Sequence, residues 1–116
     1  MSIFPGAQAQ QWITQPADRN VTVGGNVTFR CEAEGVDSLT HIWNKGVNPI
    51  FLNGVPGSNV PSRYKIQGKN NLVISGVTLE DDSFYSCTIF NFDSVQVKLS
   101  VQCKYIYKES FTEMKN

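Results

Sequence analysis

From Asn26 to Glu34 the chain alternates, with Val27, Phe29, Cys31 and Ala33 on one phase and Thr28, Arg30, Glu32 and Glu34 on the other. A two-residue period puts every apolar side chain on one side of an extended strand, so the segment suits a sheet with one buried face. Ser94 to Gln102 repeats it with Val95, Val97, Leu99 and Val101. Shorter runs of the same kind are Trp12 to Thr14, Val21 to Val23, His41 to Asn44, Ile50 to Leu52, Tyr64 to Gln67, Asn71 to Ser75 and Phe84 to Phe90. Between them stand Gly24-Gly25, Asn53-Gly54, Pro56-Gly57, Gly68-Lys69-Asn70 and Asn91-Phe92-Asp93, residues that accept the backbone angles of turns. Nothing of helix length shows a 3.6-residue period, and Thr78 to Ser83 has room for one helical turn at most. Seven to nine short strands at this spacing predict an all-β chain folded as a β-sandwich of two antiparallel sheets.

A chain of 116 residues suits one domain of ordinary size and excludes a two-domain enzyme. Ten Lys/Arg balance ten Asp/Glu, whereas proteins that neutralise phosphates carry a basic excess, so nucleic acid is not an expected partner. No uninterrupted apolar run exceeds three residues, so no transmembrane segment is expected in this chain.

Cys31 and Cys87 lie 56 positions apart, each in phase with the apolar residues of its strand. Two inward cysteines on opposing sheets can bridge the core, which in the chain-entropy account stabilises by roughly 4 kcal/mol. The other reading is a pair of buried free thiols. Trp43, twelve residues after Cys31, favours the bridge, because the third strand would set its indole against it. Tyr85, two residues before Cys87, stands where its hydroxyl can bond the backbone of the preceding turn.

Taken in order, Gly24-Gly25-Asn26-Val27-Thr28-Phe29-Arg30-Cys31, Trp43-Asn44-Lys45, Leu72-Val73-Ile74 and Leu79-Glu80-Asp81-Asp82-Ser83-Phe84-Tyr85-Ser86-Cys87 resemble the immunoglobulin superfamily over residues 11–102. The cysteine spacing is that of an intermediate-set or short variable-set domain. The resemblance implies an immunoglobulin-like (Ig-like) sandwich and an ion pair between Arg63 and Asp81 across its lower end. A narrower resemblance rests on Gln11-Trp12 with Pro16 and Asp18, Arg63-Tyr64-Lys65-Ile66-Gln67-Gly68, and Leu79-Glu80-Asp81-Asp82. These look like the first domain of the nephrin/irregular-chiasm (irre) adhesion receptors. That implies cell–cell recognition through the face of the C, C′, F and G strands. The expected organisation is a leader or signal-peptide remnant over 1–10, where Ala7-Gln8-Ala9 fits a cleavage site, the Ig-like domain over 11–102, and a polar tail or linker over 103–116.

His41 departs from the superfamily pattern, which has an inward aliphatic residue two positions before the tryptophan. Either a local bulge turns Ile42 back into the core, or Ile42 stays exposed on the recognition face.

Chemistry finds little material. The single histidine has no HExxH partner, no GxSxG surrounds a serine, and neither Gly24-Gly25 nor Gly68-Lys69 belongs to a phosphate loop. Glu80-Asp81-Asp82 lacks the spaced oxygens of a calcium loop. No enzymatic activity, metal or cofactor is expected.

Binding is the function left. The outward side of the C-C′-F-G sheet should present Ile42, Asn44, one or two of Ile50, Phe51 and Leu52 (Phe51 being the one assigned), Thr88, Phe90, Gln96 and Lys98, with Phe92 at the tip of the F–G turn. Apolar anchors in a polar surround match a protein-contact surface. Asn20-Val21-Thr22 and Asn26-Val27-Thr28 are glycosylation sequons, expected to lie away from this face. With the cysteine pair they imply an extracellular setting, at the cell surface or secreted. The expected function is the recognition domain of a cell-surface adhesion receptor, binding another protein, an Ig-superfamily domain, homophilically or heterophilically. The alternative is a small secreted Ig-type immune or ligand-binding protein. Cys103, two residues past Val101, is the thiol left without a mate in the domain.

Overall fold

The structure is a computed structural model that describes residues 9–103. The expected leader, apart from Ala9 and Gln10, and the tail beyond Cys103 lie outside the described residues. The strands are β1 (Gln11–Thr14), β2 (Arg19–Thr22), β3 (Val27–Phe29), β4 (Glu32–Glu34), β5 (His41–Lys45), β6 (Asn48–Leu52), β7 (Val55–Pro56), β8 (Tyr64–Gln67), β9 (Asn71–Ile74), β10 (Ser83–Ile89) and β11 (Asp93–Gln102). One 3₁₀ turn, Leu79–Asp81, precedes β10, the single turn that the sequence allowed there.

One layer is the six-stranded sheet β2-β11-β10-β5-β6-β7, and the other is β3-β9-β8 with the β1-β4 pair. All pairings are antiparallel except β2 on β11, so the expectation of purely antiparallel sheets fails at that edge. The segment Asn26–Glu34 is also two strands. At the break between β3 and β4, the Cys31 N–H donates to Asn71 Oδ1 at 2.9 Å in place of a ladder bond.

Inward residues of both layers meet in one core. Cys31 and Cys87 form the disulfide, with Cα atoms 6.6 Å apart, and Trp43, Phe29 and Tyr85 surround it. The Phe29 ring lies 6.2 Å from Trp43 and 5.5 Å from Tyr85, centroid to centroid, within the range of favourable aromatic pairs. The buried indole N–H of Trp43 donates to the Asn70 carbonyl at 2.9 Å, which offsets the cost of burying it.

Two phase questions are resolved by the β5 pairings. Against β10 the register runs unbroken from Lys45–Tyr85 to His41–Ile89, so Ile42 is not turned inward by a bulge. It stands outward and half-buried, between Leu52 and Thr88. His41 takes the inward phase at the end of the core, where its Nδ1–H donates to the Leu39 carbonyl at 2.8 Å, and the Leu39 side chain packs, half-buried, against the core. The bulge is instead in β6. Trp43 faces Phe51 but Asn44 faces Pro49, leaving Ile50 as the extra residue. Both Ile50 and Phe51 are therefore buried, and Leu52 comes out on the solvent side.

Candidate recognition face

The outward side of the six-stranded sheet is set by register. Directly opposed residues share a side, so Val55, Leu52, Ile42 and Thr88 form one row across β7, β6, β5 and β10. Asn53-Gly54 makes this row continuous, since both residues have positive φ (50° and 82°), as a two-residue type I′ hairpin requires, and the turn sets Val55 opposite Leu52. Phe90 stands one step diagonally from Ile42, its N–H donating to the Thr40 carbonyl at 3.0 Å. Val55 is 65% exposed, Leu52 53% and Phe90 51%. Beside the row, Pro49, Leu52, Val55 and Pro56 line a shallow depression of about 480 Å³.

The middle of the face is polar and bonded within itself. Asn44 Nδ2 donates to Ser86 Oγ at 3.3 Å, and the Thr88 and Ser94 hydroxyls are 2.7 Å apart. Gln96 is exposed opposite Ser86. At the lower end Lys98 Nζ donates to Asp82 Oδ1 at 2.6 Å and lies 5.6 Å from the centre of the Phe84 ring, which is half exposed. Asp82 Oδ2 also accepts the Val101 N–H, and Lys98 with that N–H holds its carboxyl below the usual range.

Three expected site residues are placed differently. Phe51, at 4% exposure, belongs to the core because of the β6 bulge and presents nothing to a partner. Phe92 is not at a free tip. Asn91, with φ of 65°, turns the chain so that Phe92 folds back, half-buried, onto Trp12 at 5.1 Å between centroids. The Trp12 indole N–H then donates to Asp93 Oδ2 at 2.9 Å, and that bond, with one from the Ser94 N–H, lowers the Asp93 pKa. Asn20 is the third. Its strand β2 joins the six-stranded sheet, with Asn20 opposite Ser100 and Val21 opposite Val101. Val21 and Val101 pack on the core, so Asn20 projects from the same face as Gln96 and Lys98. Asn26, exposed just before β3 of the other sheet, accepts the Gly76 N–H at 3.0 Å on its Oδ1. Cys103 follows β11, half-buried and unpaired among the described residues.

Val55 and Phe84 are exposed apolar residues that the sequence reading did not place on the face, and of Ile50, Phe51 and Leu52 the one that reaches it is Leu52. Phe84 shares the phase of Ser86, Thr88 and Phe90. The Asn53-Gly54 hairpin signal was enough to pair Val55 with Leu52.

Below the sheet, Asp81, at 1% exposure, accepts Arg63 Nη1 at 2.9 Å and Nη2 at 3.2 Å, the Tyr64 hydroxyl, and the Thr78 N–H at 2.8 Å. The Tyr85 hydroxyl donates to the Asp81 carbonyl at 2.6 Å. Burial pushes the Tyr64 and Tyr85 phenols up, Tyr85 to about 12, so both stay protonated and donating. Among the described residues no group of three His, Cys, Asp or Glu side chains is arranged to hold a metal ion, and no helix is long and apolar enough to cross a membrane.

The immunoglobulin domain profile matches residues 11–91. Human peroxidasin homolog is 33% identical over 95 residues, a match covering 79% of this chain and 6% of that protein. The human cell adhesion molecule DSCAM is 30% identical over 98 residues, covering 78% of this chain and 4% of its own length. Among solved structures, a chain of the complex of Dpr11 IG1 bound to DIP-gamma IG+IG2 superposes with a TM-score of 0.73 at 15% identity, covering 83% of this chain and 52% of that one. Rst D1-D2 gives 0.70 at 23% identity, covering 83% and 50%. The chain thus spans only a small part of the curated relatives it matches.

Proposed function

The chain belongs to the immunoglobulin domain family and is homologous to Ig domains of a cell adhesion molecule, and from this premise we propose that it is an extracellular recognition domain of an adhesion receptor. It binds another protein, an Ig domain, through the outward face of the β11-β10-β5-β6-β7 sheet. The observation that carries the reading is the continuous row Val55–Leu52–Ile42 with Phe90 beside it. Single exposed apolar residues are ordinary, but Val55, Leu52 and the half-buried Ile42 are contiguous across β7, β6 and β5, with Phe90 next to them just past β10, and adjoin a polar, internally bonded surface. The core disulfide supports an oxidising setting, and one structural neighbour is a chain of the complex of Dpr11 IG1 bound to DIP-gamma.

The test presents the domain as a multivalent fusion to a panel of Ig ectodomains from the same source, itself included. Leu52→Ser and Phe90→Ser should each lower the affinity for the partner so found by about tenfold or more, as truncated anchors do, with the thermal midpoint unchanged. A panel without a binder, or a binder indifferent to both substitutions, refutes the reading.

A further inference from the structure

The face carries two exposed apolar groupings, the Val55–Leu52–Ile42–Phe90 row at one corner and Phe84 under Lys98 at another. Sheet geometry alone does not choose between them as the contact point. The first sequon does. Asn20 and Thr22 stand opposite Ser100 and Gln102, both on the outward phase, and Asn20 is exposed. Asn20 lies two strands from the β10 column and five from Val55, about 10 Å and about 24 Å at the usual strand spacing. Along the strand direction its level is that of Ser100, two residues from Lys98 and six from Ser94, about 7 Å and about 20 Å. Asn20 therefore sits beside the Phe84–Lys98 corner and diagonally opposite the apolar row.

We infer that Asn20 carries an N-linked glycan that screens the Phe84–Lys98 corner and confines partner contact to the Val55–Leu52–Ile42–Phe90 corner, an inference that rests on the face being the recognition surface. In the modification the Asn20 Nδ2 forms a bond to C1 of the first sugar of a lipid-pyrophosphate oligosaccharide. The C1–O bond to the pyrophosphate breaks, the lipid pyrophosphate leaves, and Nδ2 gives up one proton to the transferase. A bulky, hydrated group at that position leaves the far corner open and makes docking over Lys98 and Phe84 costly in desolvation and fit. Of the expected contact residues, Lys98 then belongs to the screened side and Ile42 and Phe90 to the open side.

The experiment uses the full chain secreted from insect or mammalian cells. Peptide mass analysis should find Asn20 occupied. Hydroxyl-radical footprinting should show Phe84 oxidation rising several-fold in Asn20→Gln, or in Thr22→Ala, which removes the sequon but keeps Asn20, while Leu52 and Phe90 stay as they were. An unoccupied Asn20, or a Phe84 footprint indifferent to the glycan, overturns the inference. For binding, Val55→Thr completes a sequon at Asn53 within the apolar corner. That sugar should reduce binding to the Ig ectodomain returned by the panel by about tenfold or more, whereas Asn20→Gln should not reduce it. If binding instead survives the Asn53 glycan and falls with Phe84→Ser, the corner is wrong and the face stands. If none of these changes, Leu52→Ser included, alters binding, the recognition face itself is wrong.

Discussion

Replacing Asp81 by alanine removes the acceptor on which the lower end of the sandwich converges. The side chain is 1% exposed and accepts both Arg63 nitrogens, the Tyr64 hydroxyl and the Thr78 N–H. Breaking a buried pair from one side costs about 3–5 kcal/mol because the partner is left uncompensated. Here the lower part of that range applies. The Arg63 side chain is 31% exposed and still donates to the Ser75 and Gly76 carbonyls, and the Tyr64 hydroxyl keeps Tyr85 and Lys45 as neighbours. The Thr78 N–H loses its carboxylate acceptor, which lies within the same total of about 3 kcal/mol. At about 4–8 °C per kcal/mol for a domain of this size, the thermal midpoint should fall by about 12–24 °C.

Urea denaturation with the disulfide intact, followed by tryptophan fluorescence, measures the loss, and the cycle with Arg63→Ala measures the coupling. The double variant should lose clearly less than the sum of the two single variants. The pH dependence supplies a separate check. Burial alone would raise the Asp81 pKa, and the bonds from Arg63 and Tyr64 outweigh it, leaving the folded value below the ordinary carboxylate range. Its stabilisation is thus complete above the unfolded pKa of about 3.9 and is lost as pH falls through the lower folded value. The alanine variant should lack that part of the acid limb. A loss below about 1 kcal/mol, or strict additivity in the cycle, would refute the claim that one buried carboxylate organises this end.

The β6 bulge makes neighbouring residues respond oppositely. Phe51→Ser should cost about 3–5 kcal/mol, since it empties a buried aromatic site, whereas Leu52→Ser should stay within about 0.5 kcal/mol, both read from urea midpoints. Equal effects would place the bulge elsewhere. Trp12→Ala removes both the packing on Phe92 and the donor to Asp93, so amide exchange at Phe92, whose N–H is bonded to the Ile89 carbonyl, should accelerate while exchange in β5 does not. Unchanged exchange at Phe92 would show that the β10–β11 turn holds its shape without β1.

The sandwich was readable because its signals are local and periodic. Alternation located most strands, and the phase of Cys31, Cys87, Trp43 and Tyr85 placed them in one core. The errors on the face came from features that a period of two does not encode. Ile50-Phe51-Leu52 is three apolar residues in a row, and only the pairing partners Trp43 and Asn44 reveal that the extra residue falls at Ile50, which sends Phe51 inward. Phe92 was misplaced because its partner Trp12 is 80 positions away in sequence, and nothing near Asn91 announces that the ring folds back. Asn20 was assigned to the wrong side for a related reason. Strand β2 crosses to the six-stranded sheet and pairs with β11, and a four-residue strand holds no signal of which layer it joins.

Hydrogen-bond satisfaction separates what the face can supply to a partner. Each of the Asn44–Ser86 and Thr88–Ser94 pairs holds one mutual hydrogen bond, and the amide and hydroxyl groups keep further donors and acceptors that a partner covering them must satisfy. Lys98 is held by Asp82, and a charge engaged in that way contributes less long-range attraction than a free one. On the proposed reading, attraction comes from removing Val55, Leu52, Ile42 and Phe90 from water, at about 25 cal/mol per Å² of apolar surface before the costs of association. Such a source is short-ranged and has no direction of its own. Direction comes from the surroundings, the Asn53-Gly54 hairpin on one side and the polar centre on the other, which a wrongly shaped partner would leave with unpaired groups. On the proposed reading such a surface discriminates by fit at one corner, and ten basic against ten acidic residues leave the chain no net charge to steer by.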